Sequence, residues 1–363
     1  MRIGYFVSSI GISGGVKVVL QHVKILKELG HEAFLITKDI EGTWDVSETL
    51  VILKRNNLED IPDCEIYIGT RWNDVERLFR RKVGKVVHLC QGYEPLKYWL
   101  RIKEEFIPEK REKKGILSIT KRYFDMMKYR RKIDQVKSVY ALPTVKAAVS
   151  RHLVELIEKE YKQRCFLIQN GIDTKVFYPD GRRTWGEDGE IRVLSVGSMH
   201  VGFKGIRDTL AAVKLLKGKG FNLKLIRVSP TPPSERELDE AIVDEFYERL
   251  NEKEMADLYR SADIFISSSL EMEGFGLPAM EALASGVPSI LTEISSYKNF
   301  DEKRDFAYFV PTHRPDKIAE GILAFIENRA LRERCVQQGL RVAQNYTLET
   351  TREHLSNFLQ GIV

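Results

Sequence analysis

Within Glu273-Gly274-Phe275-Gly276-Leu277-Pro278-Ala279-Met280-Glu281, two carboxylates flank two glycines and a proline. Pro278 suits the first turn of a helix, where its missing N–H costs nothing. Phe275, Gly276 and Leu277 then offer backbone N–H groups at the positive end of that helix. Such an end favours an anion by about 0.3–1 kcal/mol, and by about 2 kcal/mol when partly buried. Gly274 and Gly276 allow a ligand to approach the backbone closely. Glu281 shares a helix face with Leu277 and Ala284, where a carboxylate is costly unless something donates hydrogen bonds to it. The vicinal hydroxyls of a ribose would supply two donors, and Glu273, ahead of the helix, can reach hydroxyls of a sugar. The pattern fits a ligand of the form sugar–diphosphate–ribose. The plainer alternative is a helix cap with one surface glutamate.

Stepping outward, the helix belongs to an alternating series of elements. A β-rich run at 3–7 leads through Gly11-Ile12-Ser13-Gly14-Gly15 into Val16, Val19, Leu20, Val23 and Leu26 at helical spacing. Strands are expected at 33–37, 66–69, 86–89 and 166–168, with 144–159 beginning as a short apolar run and continuing as a helix. Residues 178–189 are rich in turn formers and read as a linker. The pattern then restarts, with strands at 191–196, 223–228, 263–267 and 287–291. Helices are expected at 205–218, 252–260, 278–284, 316–328 and 331–344, with a last one from about 348 to 359. Alternation of this kind predicts mostly parallel sheets covered on both faces. The fold class expected is α/β: two doubly wound Rossmann-like domains, 1–175 and 176–345, facing across a cleft. The last helix, about 346–363, packs back on the first domain. Ligands of open α/β sheets bind outside the carboxyl ends of the strands.

The 363 residues are 43% hydrophobic and 30% charged, with mean hydropathy −0.28, the composition of a soluble globular protein. No apolar run approaches a membrane span, and the first apolar stretch is too short for a signal peptide. Cys64, Cys90, Cys165 and Cys335 are scattered with no metal-like spacing, so the expected location is the cytoplasm. The net charge is +5, yet Lys97 to Lys137 alone holds 14 Lys/Arg against 6 Asp/Glu. Residues 96–137 mix Trp99, Phe106, Ile107, Ile116, Leu117, Tyr123, Phe124, Met126 and Met127 with that excess. The expectation is peripheral docking on an anionic inner leaflet or on an anionic lipid-linked acceptor. An ordinary pair of surface helices with a solvated basic face is the alternative. No recognised module accompanies the charge, so no nucleic-acid partner is expected. Nor does Gly11-Ile12-Ser13-Gly14-Gly15-Val16-Lys17 make a P-loop or a dinucleotide fingerprint.

The Glu-x7-Glu block, followed by Glu281-Ala282-Leu283-Ala284-Ser285-Gly286-Val287-Pro288, resembles glycosyltransferase family 4, retaining enzymes of the GT-B architecture. Gly14-Gly15, Asn170-Gly171-Ile172-Asp173, Val196-Gly197 and Lys204-Gly205 fall where that family has corresponding motifs. The resemblance implies that Lys204 contacts the donor diphosphate, where a fixed cation stabilises charge developing on the leaving group. It implies that Gly14 and Gly15 present a helix N-terminus to the phosphates or the acceptor, and that Gly197, Ser198, Phe275, Gly276, Leu277 and Glu281 line the donor site. Glu273 and Lys204 are then the catalytic pair, with no cofactor and no metal. Ser198 stands where the family often carries Arg, leaving His200 as a candidate substitute cation. Cys90 stands where many members carry His, and His88 is read as a buried, satisfied core residue. Gln91-Gly92-Tyr93-Glu94 resembles a variant of polysaccharide-building members, which makes Gln91 and Glu94 candidate sugar or acceptor contacts, with Asn170 of the Asn170-Gly171-Ile172-Asp173 motif as a third. The loop after Leu291 lacks the glycines common there. The implied activity is hexosyl or deoxyhexosyl transfer from a nucleotide-diphosphate sugar to a glycan or lipid-linked acceptor in bacterial cell-surface polysaccharide assembly. The alternatives are a nucleotide-sugar epimerase and a non-catalytic nucleotide-sugar-binding subunit.

Overall fold

The computed structural model describes residues 1–7, 9–11, 13–39, 50–52, 61–82, 84–102, 116–181, 185–186, 189–239 and 242–362. Ile12, Phe106, Ile107 and part of the expected linker lie outside the described residues, as do the side chains of Ile116, Leu117 and Tyr123. The chain divides into two compact units. Unit 1 comprises 1–168 with 355–363, and unit 2 comprises 169–354.

Unit 1 begins β1 (Arg2–Val7), α1 (Gly14–Glu28), β2 (Glu32–Thr37), β3 (Leu50–Ile52) and β4 (Ile66–Gly69). It continues α2 (Trp72–Arg81), β5 (Lys85–Cys90), α3 (Glu94–Ile102), α4 (Ile116–Tyr140), β6 (Val145–Ala148), α5 (Arg151–Tyr161) and β7 (Cys165–Leu167). Its seven strands run β3-β2-β1-β4-β5-β6-β7 and pair in parallel. β1, β2 and β4 are almost wholly buried, as strands covered on both faces must be.

Unit 2 holds β8 (Ile191–Val196), α6 (Ile206–Gly218), β9 (Leu223–Ser229), β10 (Glu245–Glu248), α7 (Glu252–Ser261) and β11 (Ile264–Ser267). Then come α8 (Leu277–Ala284), β12 (Ser289–Thr292), α9 (Ser295–Lys298), β13 (Tyr308–Val310), α10 (Pro315–Glu327) and α11 (Arg329–Ala343). The order β10-β9-β8-β11-β12-β13 is the doubly wound arrangement, whose switch point lies between β8 and β11. Its core packs Val193, Leu225, Ile264 and Ile290 of the sheet against Val213, Ile318 and Phe325 of the helices. The last helix, α12 (Leu348–Ile362), is shared. Its residues through His354 cluster with unit 2 and those from Leu355 with unit 1, where Phe358 meets Phe166 edge-on with ring centroids 5.4 Å apart.

The expected fold class holds in both units, and the differences are local. The short strands β3, β10 and β13 are absent from the sequence reading. Each lies at or beside a sheet margin, and β10 (Glu-Phe-Tyr-Glu) carries too few apolar residues to signal itself. The 144–159 stretch is two elements, β6 and α5, separated at Val149-Ser150. The helix expected from 205 starts at Ile206, after a 3-10 turn over Gly202–Lys204. The contact division falls at 168/169, before the expected 175/176, because Ile172 pairs with Thr347 inside unit 2. The turn-rich 178–189 stretch therefore lies within unit 2.

Candidate active site

The loops after β8 and β11 flank the switch point of unit 2, and the carboxylate–lysine pair is assembled there. At the end of β8, Gly197 turns with φ 138° and its amide donates to Val228 O at 2.9 Å. The 3-10 turn that follows delivers Lys204, whose side chain packs over Gly197. At the end of β11 the run Ser267-Ser268-Ser269 splits its hydroxyls between two duties. Ser268 Oγ donates to Gly205 O at 2.7 Å, fixing the backbone that carries Lys204. Ser269 Oγ donates to Glu273 Oε2 at 3.1 Å. The Leu270 amide donates to Phe203 O at 2.7 Å, closing the two loops on one another. Lys204 Nζ stands 2.6 Å from Glu273 Oε2, with side-chain exposures of 21% and 10%.

Gly205 explains its own identity. A Cβ there would lie 1.8 Å from Ser268 O, and φ is +63° besides. The close approach that glycine permits is what brings the two loops together.

α8 begins at Leu277, with Gly276 as its N-cap at φ 93° and Pro278 as the second helical residue. The first amide of this end to reach a carbonyl is that of Ala279, bonding Gly276 O at 3.0 Å. This leaves the amides of Gly276 and Leu277 at the positive end of the helix. Phe275 is buried against Phe300 and Tyr346, so it anchors the loop. Glu281 is buried on α8, and Tyr259 of α7 donates its hydroxyl to Glu281 Oε2 at 3.1 Å. Burial and the adjacent carboxylate push the Tyr259 phenol well above its ordinary range, so it stays a donor. The cost of burying this carboxylate is thus offset in part by a protein hydroxyl, not only by hydroxyls of a ligand.

Ser198 does not present a free hydroxyl: its Oγ lies 2.8 Å from Thr231 Oγ1 and accepts from the His200 amide at 3.2 Å. A cation does stand behind this turn. Arg227, fully buried on β9, donates to the carbonyls of Ser195 and Gly197 and pairs with Glu237 at 3.0 Å. Being buried and neutralised, it shapes the Gly197 turn from beneath.

The remaining candidates lie elsewhere. Gly14 and Gly15 open α1 of unit 1, behind the Ser13 N-cap. Gln91 Nε2 donates to Gly15 O at 3.1 Å, and a Cβ on Gly15 would lie 2.6 Å from Gln91 Oε1. Glu94 receives the Trp72 amide at 2.9 Å, so it caps the N-terminus of α2. Cys90 is buried, and burial pushes its thiol up. His88 is buried as expected but not satisfied: its Nε2 is 3.9 Å from Glu94, and neither ring nitrogen has a hydrogen-bond partner among the described residues. Burial lowers its pKa, which keeps it neutral. Asn170 belongs to unit 2 and is buried where Gly171 passes against Thr347 O; no hydrogen-bond partner meets its Oδ1 among the described residues. Also among the described residues, no cluster of three or more His, Cys, Asp or Glu could hold a metal ion. Sequence reasoning missed Ser268, Ser269, Tyr259 and Arg227. Only the serine run, at the carboxyl end of a buried strand, offered a signal.

Residues 190–328 match the family model described as Glycosyl transferases group 1. The match lies within the C-terminal unit. Over 133 residues it is 32% identical to the MMP alpha-(1->4)-mannosyltransferase of Mycolicibacterium hassiacum, covering 35% of this chain and 31% of that one. The match thus spans about a third or less of the length of the first curated relatives. In fold, it is similar over its whole length to the sucrose-phosphate synthase of Thermosynechococcus elongatus. The TM-score is 0.72 at 17% identity, covering 100% and 99% of the two chains. It is equally similar to Anabaena HepE in complex with UDP-glucose, with TM-score 0.71, 12% identity and both chains fully covered. This is the GT-B fold. In unit 2, the Lys204–Glu273 pair and the α8 N-terminus place one cation, one carboxylate and oriented amides at the strand ends.

Proposed function

We propose that the chain is a retaining glycosyltransferase that moves a sugar from a nucleotide-diphosphate donor held by unit 2. The sugar goes to a glycan or lipid-linked acceptor in bacterial cell-surface polysaccharide assembly. The observation that carries the reading is the ion pair of Lys204 and Glu273 at 2.6 Å, both arms held by the Ser267–Ser269 run. The diphosphate lies against the Gly276 and Leu277 amides and the Lys204 ammonium. As the bond from the anomeric carbon to the diphosphate oxygen breaks, Lys204 stabilises the charge gathering on the leaving group. Glu273 accepts hydrogen bonds from hydroxyls of the departing sugar, and Glu281 from the ribose. The acceptor hydroxyl attacks the face that the diphosphate leaves, and the diphosphate takes its proton, so the anomeric configuration is retained. No metal or cofactor takes part, so EDTA should leave turnover unchanged. In unit 1, the paired Gln91 and Gly15 are the candidate acceptor contacts.

A thermal-shift screen with UDP-, GDP-, ADP- and dTDP-sugars tests donor binding, since a bound ligand raises stability by mass action. Transfer to an acceptor extract with that donor is the expected product; conversion of the donor alone would favour an epimerase, and no turnover a binding subunit. We further propose that α4 holds the protein at an anionic cytoplasmic membrane surface. Phe124 is 71% exposed there, beside a hollow lined also by Met127, Lys128, Arg131, Lys132 and Gln135. Among the described residues no helix is long and apolar enough to cross a membrane, so attachment would be peripheral. Flotation with anionic vesicles at low salt should carry the protein up; failure to float would end that idea.

A further inference from the structure

The loop that carries Glu273 is braced from behind by α9. The Ser295 amide donates to the Glu271 carboxylate at 3.1 Å, and Thr292 Oγ1 donates to Ser269 O. Between these ties stands Tyr297, buried with 1% exposure. Its ring lies under Gly276: a Cβ added there would be 2.3 Å from Tyr297 Cε1. Its hydroxyl is 2.6 Å from Ser267 Oγ, which is 3.3 Å from Ser269 Oγ, which is 3.1 Å from Glu273 Oε2.

The direction of this chain follows from counting protons. An ionised carboxylate only accepts, so the single proton of Ser269 points at Glu273. Ser269 must then accept from Ser267, and Ser267 from Tyr297. Three hydroxyls donate in one sense and end on the carboxylate that Lys204 also meets. Burial pushes the Tyr297 phenol up from its ordinary range, so the first donor keeps its proton.

We propose that Tyr297 is a positioning residue for the Glu273 carboxylate. It acts through the Ser267–Ser269 relay while its ring sets the height of the Gly276 amide at the start of α8. Chains of this kind polarise each link, and their members act together. This assignment goes beyond the sugar-transfer reading, on which only the kinetic part of its test rests.

The test uses the full chain with Tyr297→Phe, which keeps the ring and deletes the hydroxyl, and Ser269→Ala, which cuts the last link. In crystals of Tyr297→Phe the Glu273 side chain should leave its single position or lengthen its contacts to Ser269 and Lys204. Glu273 unmoved, with both contacts intact, overturns the proposal whether or not the enzyme turns over. With the donor found by the thermal screen, each variant should lose about tenfold in kcat with donor KM within about twofold. The double variant should lose no more than Ser269→Ala alone, because both cut one chain. Losses that multiply would mean two independent effects and no relay. Should wild-type protein transfer no sugar at all, the functional reading fails while the crystal comparison still judges the relay.

Discussion

Lys204, Glu281 and Arg227 carry their charges in three environments, and each predicts a different failure. In the proposed transfer, Lys204→Ala removes the cation facing a developing anion, so kcat should fall by about 10²–10³ with the protein still folded, read in steady-state kinetics. In the same proposal Glu281 serves the ground state and the transition state alike, so Glu281→Ala should chiefly raise the donor KM. Arg227 is fully buried against Glu237. Arg227→Met strands a buried carboxylate and two carbonyls and should cost about 3–5 kcal/mol, seen as a lower unfolding temperature for unit 2. Glu273 and Glu281 were legible in the sequence because their signals are local, a helix start and an apolar stripe, while Lys204 was indicated only by the resemblance of its Lys-Gly pair to a family motif. The distance between Lys204 and Glu273, 69 residues apart in the chain, was not.

In unit 1, helix α1 packs His22 into the core, with Nδ1 3.2 Å from the Tyr5 hydroxyl of β1. Burial lowers its pKa to about 3. The unfolded chain binds this proton from about pH 6.5 downward, so the folded state loses ground between pH 6.5 and pH 3 and is unaffected above that window. At pH 4 the loss should be on the order of 3 kcal/mol from this residue. In His22→Gln the fall in unfolding temperature from pH 7 to pH 4 should therefore be smaller than in wild type; an equal fall would argue against the assignment. The elements themselves were largely readable from periodicity, since most strands are buried runs and most helices amphipathic. The strands that escaped, β3, β10 and β13, are three or four residues long, and helices α2 and α9 were not read from the sequence either. Neighbouring strands create those short strands, not their own patterning.

At the scale of the chain, the proposed transfer assigns the donor to one unit. Hydrogen exchange of the protein with its donor sugar nucleotide should therefore slow in unit 2, at 197–205 and 268–281. The α1 N-terminus of unit 1 should slow only when acceptor is added. Protection spread evenly over both units with donor alone would count against that division of labour.

By itself the sequence determined the two doubly wound units and the block that carries both glutamates, because periodicity, turn chemistry and helix starts act over a few residues. Only the tertiary structure decided who stands behind those groups. Tyr259 beneath Glu281, Arg227 beneath Gly197 and Tyr297 behind Glu273 come from other elements. Which hydroxyl or cation is buried against a given carboxylate depends on strand order and loop packing, and neither is written in the spacing of neighbouring residues.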